Sequence, residues 1–246
     1  MRHQIRAGAC AIGALLFCAA AAAAEHPDFT GVWTNAGRPG IGGATGARGG
    51  EPPALTPVGK ERIEAYQKLT AGTDDSPYAW CTGLGMPSSM LSSGGYPMEI
   101  MQRPEEIMIV YEAMTEIRRV YFGDRNIPES DRVPGRNGYS SGHWEGDTLV
   151  VETDNLDDQV DQRGTAHSDQ AKIVERYHLE GKDAQGRRIL AVEMTMTDPV
   201  FYTKPLVREK RWAQIPNGHS LPYECTEAKW LDRIAEMAQK AGVPVP

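Results

Sequence analysis

The stretch of sequence that decides the fold runs from Gly138 to Thr153 and reads GYSSGHWEGDTLVVET. Its centre, Glu145-Gly146-Asp147, has the composition of a tight turn, because glycine adopts positive φ without a Cβ clash and aspartate bonds to nearby backbone. The residues on both sides are rich in β-branched and aromatic side chains, which favour extended strands. The stretch therefore predicts a β-hairpin with its turn at Gly146.

Segments rich in β-branched and aromatic residues recur on both sides of this hairpin, at short spacing and separated by turn residues. They are Phe29–Trp33, Glu106–Glu112, Thr115–Phe122, Lys172–Leu179, Ile189–Thr197 and Pro205–Gln214. Such a series predicts a mainly β protein, and specifically an antiparallel, lipocalin-like β-barrel with short peripheral helices. About eight strands can close into a barrel and leave room for one small ligand.

Two helices are expected outside the strand series. Thr56 can cap a helix over residues 57–69, with Pro57 in its first turn and Ile63, Tyr66 and Leu69 on one face. A second amphipathic helix is expected over residues 230–239, with one apolar side. That side carries Leu231, Ile234 and Met237.

The first 24 residues have the pattern of a secretory signal peptide. Arg2 and Arg6 form a basic start, residues 12–17 are apolar, and residues 19–24 are all alanine. The apolar stretch is too short to span a bilayer. The expected product is residues 25–246, a periplasmic or secreted chain that forms one β-barrel domain. Residues 36–57, rich in glycine and proline, form an excursion from it.

The charge balance restricts the partners that the chain is expected to have. The formal net charge is −7, and it becomes −9 without the two arginines of the leader. An acidic surface argues against binding of nucleic acid and of anionic membranes. We therefore expect a small-molecule partner, no nucleic acid and no membrane insertion.

Two cysteines, Cys81 and Cys225, remain after the leader. In an oxidising compartment, two cysteines most simply form one disulfide. Neither cysteine has histidine or carboxylate neighbours at the spacing of a metal site. The sequence predicts the disulfide and no metal.

Several blocks further along the chain resemble a known group of proteins. Trp144–Val151 (WEGDTLVV), His167-Ser168, Val174–Arg176 (VER) and Asp198–Pro205 (DPVFYTKP) occur in this order. This combination resembles a large, uncharacterised family of exported bacterial proteins and implies export and a shared fold, with no activity attached. The opening Gly31-Val32-Trp33 also resembles the start of lipocalin-like, or calycin, barrels.

The alternation of side chains along the strands indicates where acid–base chemistry is expected. Glu175 shares a strand face with Ile173, Tyr177 and Leu179, so we expect a desolvated carboxyl group with a raised pKa. His167 lies in a loop beside Ser168 and Asp169, where it acts either as a loop cap or as a general acid or base.

The remaining candidates fall into a catalytic and a ligand-binding set. His143 lies near Glu152 across the hairpin, and Asp198, Tyr202 and Lys204 share one connection between strands. Arg118 is expected either to hold a carboxylate ligand or to pair with Glu112, Glu116 or Glu175. The catalytic candidates are His167, Glu175, His143, Asp198 and Tyr202, and the ligand-binding candidates are Trp144, Glu152, Arg118 and Tyr121.

Three functions remain open at this point. The sequence has no nucleophile elbow, phosphate loop, dinucleotide fingerprint or zinc-protease motif, so no cofactor is expected. The first function is an exported barrel that binds a small, largely apolar or aromatic molecule. The second is a cofactor-independent lyase, hydratase or isomerase on the same fold. The third is a structural role with a filled interior.

Overall fold

A computed structural model describes residues 26–36, 52–161 and 165–243. The expected signal peptide and most of the expected 36–57 excursion lie outside the described residues. No helix in the described ranges is long and apolar enough to cross a membrane.

Nine strands form a closed barrel, which confirms the predicted fold class. Around the barrel the strands follow the order β1-β11-β10-β9-β6-β5-β4-β3-β2, and β2 pairs again with β1. A separate two-stranded ribbon, β7 with β8, lies outside the ring. The strands are β1 Gly31–Asn35, β2 Met98–Gln102, β3 Glu106–Tyr111, β4 Glu116–Tyr121, β5 Tyr139–Glu145, β6 Thr148–Asp154, β7 Gln159–Val160, β8 Ala166–His167, β9 Lys172–Lys182, β10 Arg188–Thr197 and β11 Leu206–Ile215.

One pair of neighbouring strands departs from the antiparallel pattern. Strands β4 and β5 run parallel, with Val120 opposite Ser140 and Tyr121 opposite Ser141. A parallel pair needs a long crossover instead of a tight turn. The connection over residues 122–138 supplies that length, and it contains no α-helix. The prediction of an all-antiparallel barrel is therefore wrong at this one pair.

The predicted hairpin is present as β5 and β6. Gly146 has φ of 60° and occupies the first of two turn positions, as a type II′ turn requires. A second glycine, Gly142, is also demanded by the fold. A Cβ atom at that position would lie 2.8 Å from Cγ1 of Val120, so only glycine lets β5 approach β4 so closely.

The strand register separates an inner from an outer barrel face. On β10 every second side chain is buried and faces inward, whereas Glu193 is exposed. The inward side chains of β10 lie opposite those of β9, which are Ile173, Glu175, Tyr177 and Leu179. Both alternations match the sequence prediction. The inward residues of β10 are Leu190, Val192, Met194 and Met196, which belong to the continuous hydrophobic core.

A short segment closes the core from one side. It contains α2 (Ser88–Ser92), and its Met86 and Met90 side chains are fully buried in the barrel core. Glu116 holds the segment through the hydroxyl group of Ser89, at 2.5 Å, and the backbone N–H of Gly85, at 2.9 Å. We call residues 84–93 the plug.

The two predicted helices are present but pack less than expected. Helix α1 spans Pro57–Thr70, and the Thr56 hydroxyl oxygen accepts the N–H of Gly59 as predicted. Leu69, however, is 80 % exposed, so its predicted place on the packed face is wrong. Helix α3 spans Cys225–Ala241, which is longer than predicted, and Leu231 and Met237 on its apolar side are exposed.

The predicted disulfide links Cys81, just before the plug, to Cys225 at the start of α3. The two Cα atoms are 5.5 Å apart, across a sequence separation of 144 residues. Closing so long a loop removes much conformational freedom from the unfolded chain.

Replacing both cysteines by serine is expected to lower the free energy of unfolding by up to about 5 kcal/mol. Urea unfolding, followed by tryptophan fluorescence with and without a reductant, measures this difference. The reductant should destabilise the wild type and leave the double variant unchanged. Equal stability of the oxidised wild type and the double variant would contradict the expectation.

Candidate functional site

A buried ion pair between Arg118 of β4 and Glu175 of β9 lies inside the barrel. Both side chains are almost completely buried, at 1 % and 0 % exposure. The guanidinium nitrogens Nη1 and Nη2 donate to Oε1 and Oε2 of Glu175, which is the bidentate geometry that binds carboxylates most specifically. The two residues are far apart in sequence and meet only because the barrel closes.

Three further side chains complete the hydrogen bonding of Arg118. Its Nε donates to Ser140 at 3.0 Å, Nη2 donates to Thr153 at 2.8 Å, and Nη1 donates to Tyr177 at 3.4 Å. A guanidinium group has five N–H donors, and all five are therefore used. Tyr177 also donates its own proton to Oε1 of Glu175 at 2.9 Å.

The electrostatics of this network keep Arg118 charged. Burial alone would lower the pKa of Arg118, but the adjacent Glu175 carboxylate outweighs it and raises that pKa well above its ordinary value. Burial likewise raises the pKa of Tyr177, so its hydroxyl group keeps its proton. With every donor engaged, this network is built to hold strands β4, β5, β6 and β9 together.

Three hydrogen-bond donors in the same interior have no acceptor. The side-chain atoms are Oη of Tyr111, Nε1 of Trp212 and Nδ2 of Asn35, and all three are buried. Asn35 of β1 lies directly opposite Trp212 of β11. On the other side of β1, Met98 of β2 lies between Trp33 of β1 and Tyr111 of β3. Burial of an unsatisfied polar group costs about 1–3 kcal/mol, so such groups are rare in folded proteins.

Methionines form part of the lining of this interior. Five of them are fully buried in one core, two from the plug and three from the strands. The thioether side chain is unbranched and adapts its shape to whatever it packs against. An interior of this kind can rearrange around a guest molecule. The five are Met86, Met90, Met98, Met194 and Met196.

A second polar cluster lies at the β7–β8 ribbon. Asp198 accepts the N–H of Ser168 at 2.7 Å, the hydroxyl group of Ser168 at 2.9 Å and the N–H of Val200 at 2.9 Å. Tyr202 donates to the carbonyl oxygen of Ala166 at 2.7 Å, and burial raises its pKa to about 12. Asp198 and Tyr202 thus bind backbone and neighbouring side chains of this connection.

His167 belongs to this second cluster and is 1 % exposed. Its Nδ1 lies 3.3 Å from the carbonyl oxygen of Ser168, which assigns the proton to Nδ1, and its Nε2 is buried with no partner. Burial lowers the pKa of His167, against the opposing effects of the backbone of Ser168 and Met86 and the weaker fields of Asp198 and Asp158. No hydrogen bond joins His167 to Glu175, whose carboxylate is bound by Arg118 and Tyr177.

The remaining candidates lie on or near the surface. His143 is exposed and lies 3.4 Å from Oε1 of Glu145, while Glu152 points outward on β6. Tyr121 stacks on Tyr139 with ring centroids 5.4 Å apart. Trp144 is half-buried and stacks on His26, with ring centroids 4.5 Å apart. The structure therefore does not bring the nine candidates into one site.

Sequence reasoning missed Asn35, Tyr111 and Trp212. Alternation places Tyr111 and Trp212 on inward faces, but an unsatisfied donor has no signature in sequence. In the part of the chain that the structure describes, no group of three or more His, Cys, Asp or Glu side chains is placed to hold a metal ion.

The fold and this site define a closed β-barrel protein with a polar network and unsatisfied donors in its interior. No protein-family model, no curated protein and no solved structure matches the chain. The resemblances to an exported bacterial family and to lipocalin-like barrels therefore stay predictions.

The buried His167 predicts a specific dependence of stability on pH. The pKa of His167 is lower in the folded than in the unfolded chain, where it is about 6.5. The neutral side chain therefore contributes its full stability above about pH 6.5. This contribution is lost as the pH falls below that value, because the unfolded chain then binds the proton more readily. The thermal midpoint of the wild type should therefore fall more between pH 7 and pH 5 than that of His167→Gln. The exposed His178→Gln variant is the control and should behave as the wild type does. Equal slopes for wild type and His167→Gln would contradict the expectation.

Proposed function

We propose that this protein is an exported barrel that binds a small, largely apolar or aromatic molecule in its interior. The observation that carries the proposal is the set of three buried donors without partners among five buried methionines. A protein that needed only a filled core would be more stable with apolar side chains at these positions. Unsatisfied groups are instead expected where a ligand supplies the missing partner.

The interior offers the chemistry that such a molecule needs. Its walls are aliphatic and aromatic, with Trp33, Trp212 and Tyr111 fully buried in the core. A few polar atoms in an apolar surround are typical of small-molecule sites. We infer that the methionines of the plug and of the strands fill this space when no ligand is bound and repack around one that enters.

Export supports the same proposal. The Cys81–Cys225 disulfide fits an oxidising compartment, as do the leader-like first 24 residues. A barrel in the periplasm or outside the cell meets small molecules before they reach the cytoplasm.

The alternative of a cofactor-independent lyase, hydratase or isomerase finds less support. Its candidates divide between the Arg118–Glu175 network, the cluster around Asp198 and the exposed His143. Asp198 and Arg118 already use their hydrogen-bonding capacity on structural partners. Acid–base chemistry needs an acid and a base within reach of the same substrate atom.

Binding of the neutral fluorescent probe N-phenyl-1-naphthylamine tests the proposed function. The wild type should bind one probe per chain saturably, and replacing Met90 and Met194 by leucine should weaken binding several-fold, since the branched side chain adapts less well. Replacing Met101 and Met108, which face each other on the half-buried outer side of β2 and β3, is the matched control.

Mass spectrometry of the protein under native conditions, purified from its own compartment, gives an independent readout. We expect a stoichiometric small molecule that is released on unfolding. Absence of any such molecule, together with no saturable probe binding, would contradict the proposal.

A further inference from the structure

The three unsatisfied atoms in the barrel interior share one property, which is that all of them are hydrogen-bond donors. An indole N–H and an amide NH₂ only donate. Burial raises the pKa of Tyr111, so its hydroxyl group keeps its proton as well. The neighbouring Arg118 acts on the hydroxyl oxygen of Tyr111 only as a donor, so it offers no acceptor for that proton. What the interior lacks is therefore an acceptor.

A tryptophan and a tyrosine in the same core do have hydrogen-bond acceptors. The indole N–H of Trp33 donates to the carbonyl oxygen of Phe29 at 2.9 Å. The hydroxyl group of Tyr177 donates to Glu175 at 2.9 Å. Strands β1, β3 and β11 thus carry donors that the protein itself leaves without an acceptor, although it satisfies a Trp and a Tyr within the same core.

The orientation of Asn35 is fixed by a charged neighbour. The ammonium group of Lys210, which is 3 % exposed, donates to Oδ1 of Asn35. The amide NH₂ of Asn35 must therefore point the other way, on the strand directly opposite Trp212. The same ammonium lies 4.6 Å from the centre of the Trp212 ring. Two donors without an acceptor, Asn35 and Trp212, thus lie beside the cation of Lys210 on β1 and β11.

We propose that the interior binds an aromatic molecule through an oxygen acceptor, a carbonyl or carboxylate group, which the side chains of Asn35, Trp212 and Tyr111 recognise. This inference rests on the proposed function and narrows it to a ligand class. The methionines contact the aromatic body of the ligand, and the donors bind its oxygen. Binding then satisfies groups whose burial is costly in the empty barrel.

Three naphthalenes of nearly the same shape test the ligand class. They are 2-ethylnaphthalene, which has no oxygen, 2-acetylnaphthalene, which has a carbonyl group, and 2-naphthoate, which has a carboxylate. Calorimetric titration should show that at least one oxygenated compound binds about tenfold more tightly than the hydrocarbon, or about 1.4 kcal/mol. Tighter binding of the naphthoate than of the ketone would identify an anionic ligand, and the reverse order a neutral carbonyl compound.

The variants Trp212→Phe and Tyr111→Phe should each reduce the ratio of the affinity for the oxygenated compound to the affinity for 2-ethylnaphthalene. The ratio is the readout because both side chains also pack in the interior, so the hydrocarbon corrects for any change in packing. Tyr121→Phe on the barrel exterior is the matched control and should keep the full preference. Stability separates binding from folding. Tyr111→Phe removes a hydroxyl group that has no acceptor and should lower the melting temperature less than Tyr177→Phe, which removes the donor to Glu175.

The outcomes separate the proposed ligand class from the proposed binding function. Equal affinity for all three naphthalenes, or a preference that survives in both variants, would overturn the ligand class and leave the binding function standing. Failure of all three to bind, with no binding of N-phenyl-1-naphthylamine either, would overturn the proposed function and this inference with it.

Discussion

The bidentate ion pair between Arg118 and Glu175 is the interaction on which the rest of the structure depends. Two full charges inside a barrel are costly unless each is paired and hydrogen-bonded. Here the pair bridges β4 and β9, while Ser140, Thr153 and Tyr177 satisfy what remains of the guanidinium group. These groups come from separate strands, so they meet only in one register. A one-residue slip of any of these strands would turn its polar side chain outward and leave a charge exposed to an apolar interior.

This network explains why the interior holds two kinds of polar group. Arg118 and Glu175 are saturated, and their role is to fix the strands. Asn35 and Trp212 lie on β1 and β11, away from that network, whereas Tyr111 lies on β3, next to β4 and Arg118. None of the three receives an acceptor from the network. The plug, held by Glu116 through Ser89 and Gly85, lies against this interior with Met86 and Met90.

Much of the barrel could be predicted because its determinants are local. The turn at Gly146, the cap at Thr56 and the alternation along β9 and β10 each depend on neighbouring residues. The parallel pairing of β4 with β5 could not be predicted, since no local signal records which strand a long connection returns to. The two apolar methionines of the plug lie in a Gly-, Ser- and Pro-rich stretch without periodicity. In α3, amphipathicity indicated which side would pack, but not whether a partner is present.

The candidate site was predicted only in part, for a similar reason. Alternation identified Glu175 as an inward acid, and Arg118 was a possible partner for it from the start. The unsatisfied donors are defined by what they lack, which only the assembled barrel displays. His143, Glu152 and Tyr121 belong to types that often form sites, yet strand alternation turns them outward.

A double-mutant cycle on Arg118 and Glu175 tests the central claim most directly. Urea unfolding of Arg118→Met, Glu175→Leu and the double variant gives the coupling free energy. Each single replacement leaves one buried charge uncompensated and should cost about 3–5 kcal/mol, while the double variant should cost much less than the sum of the two. Additive effects of the two replacements, or losses below about 1 kcal/mol for each, would show that the barrel does not depend on this pair.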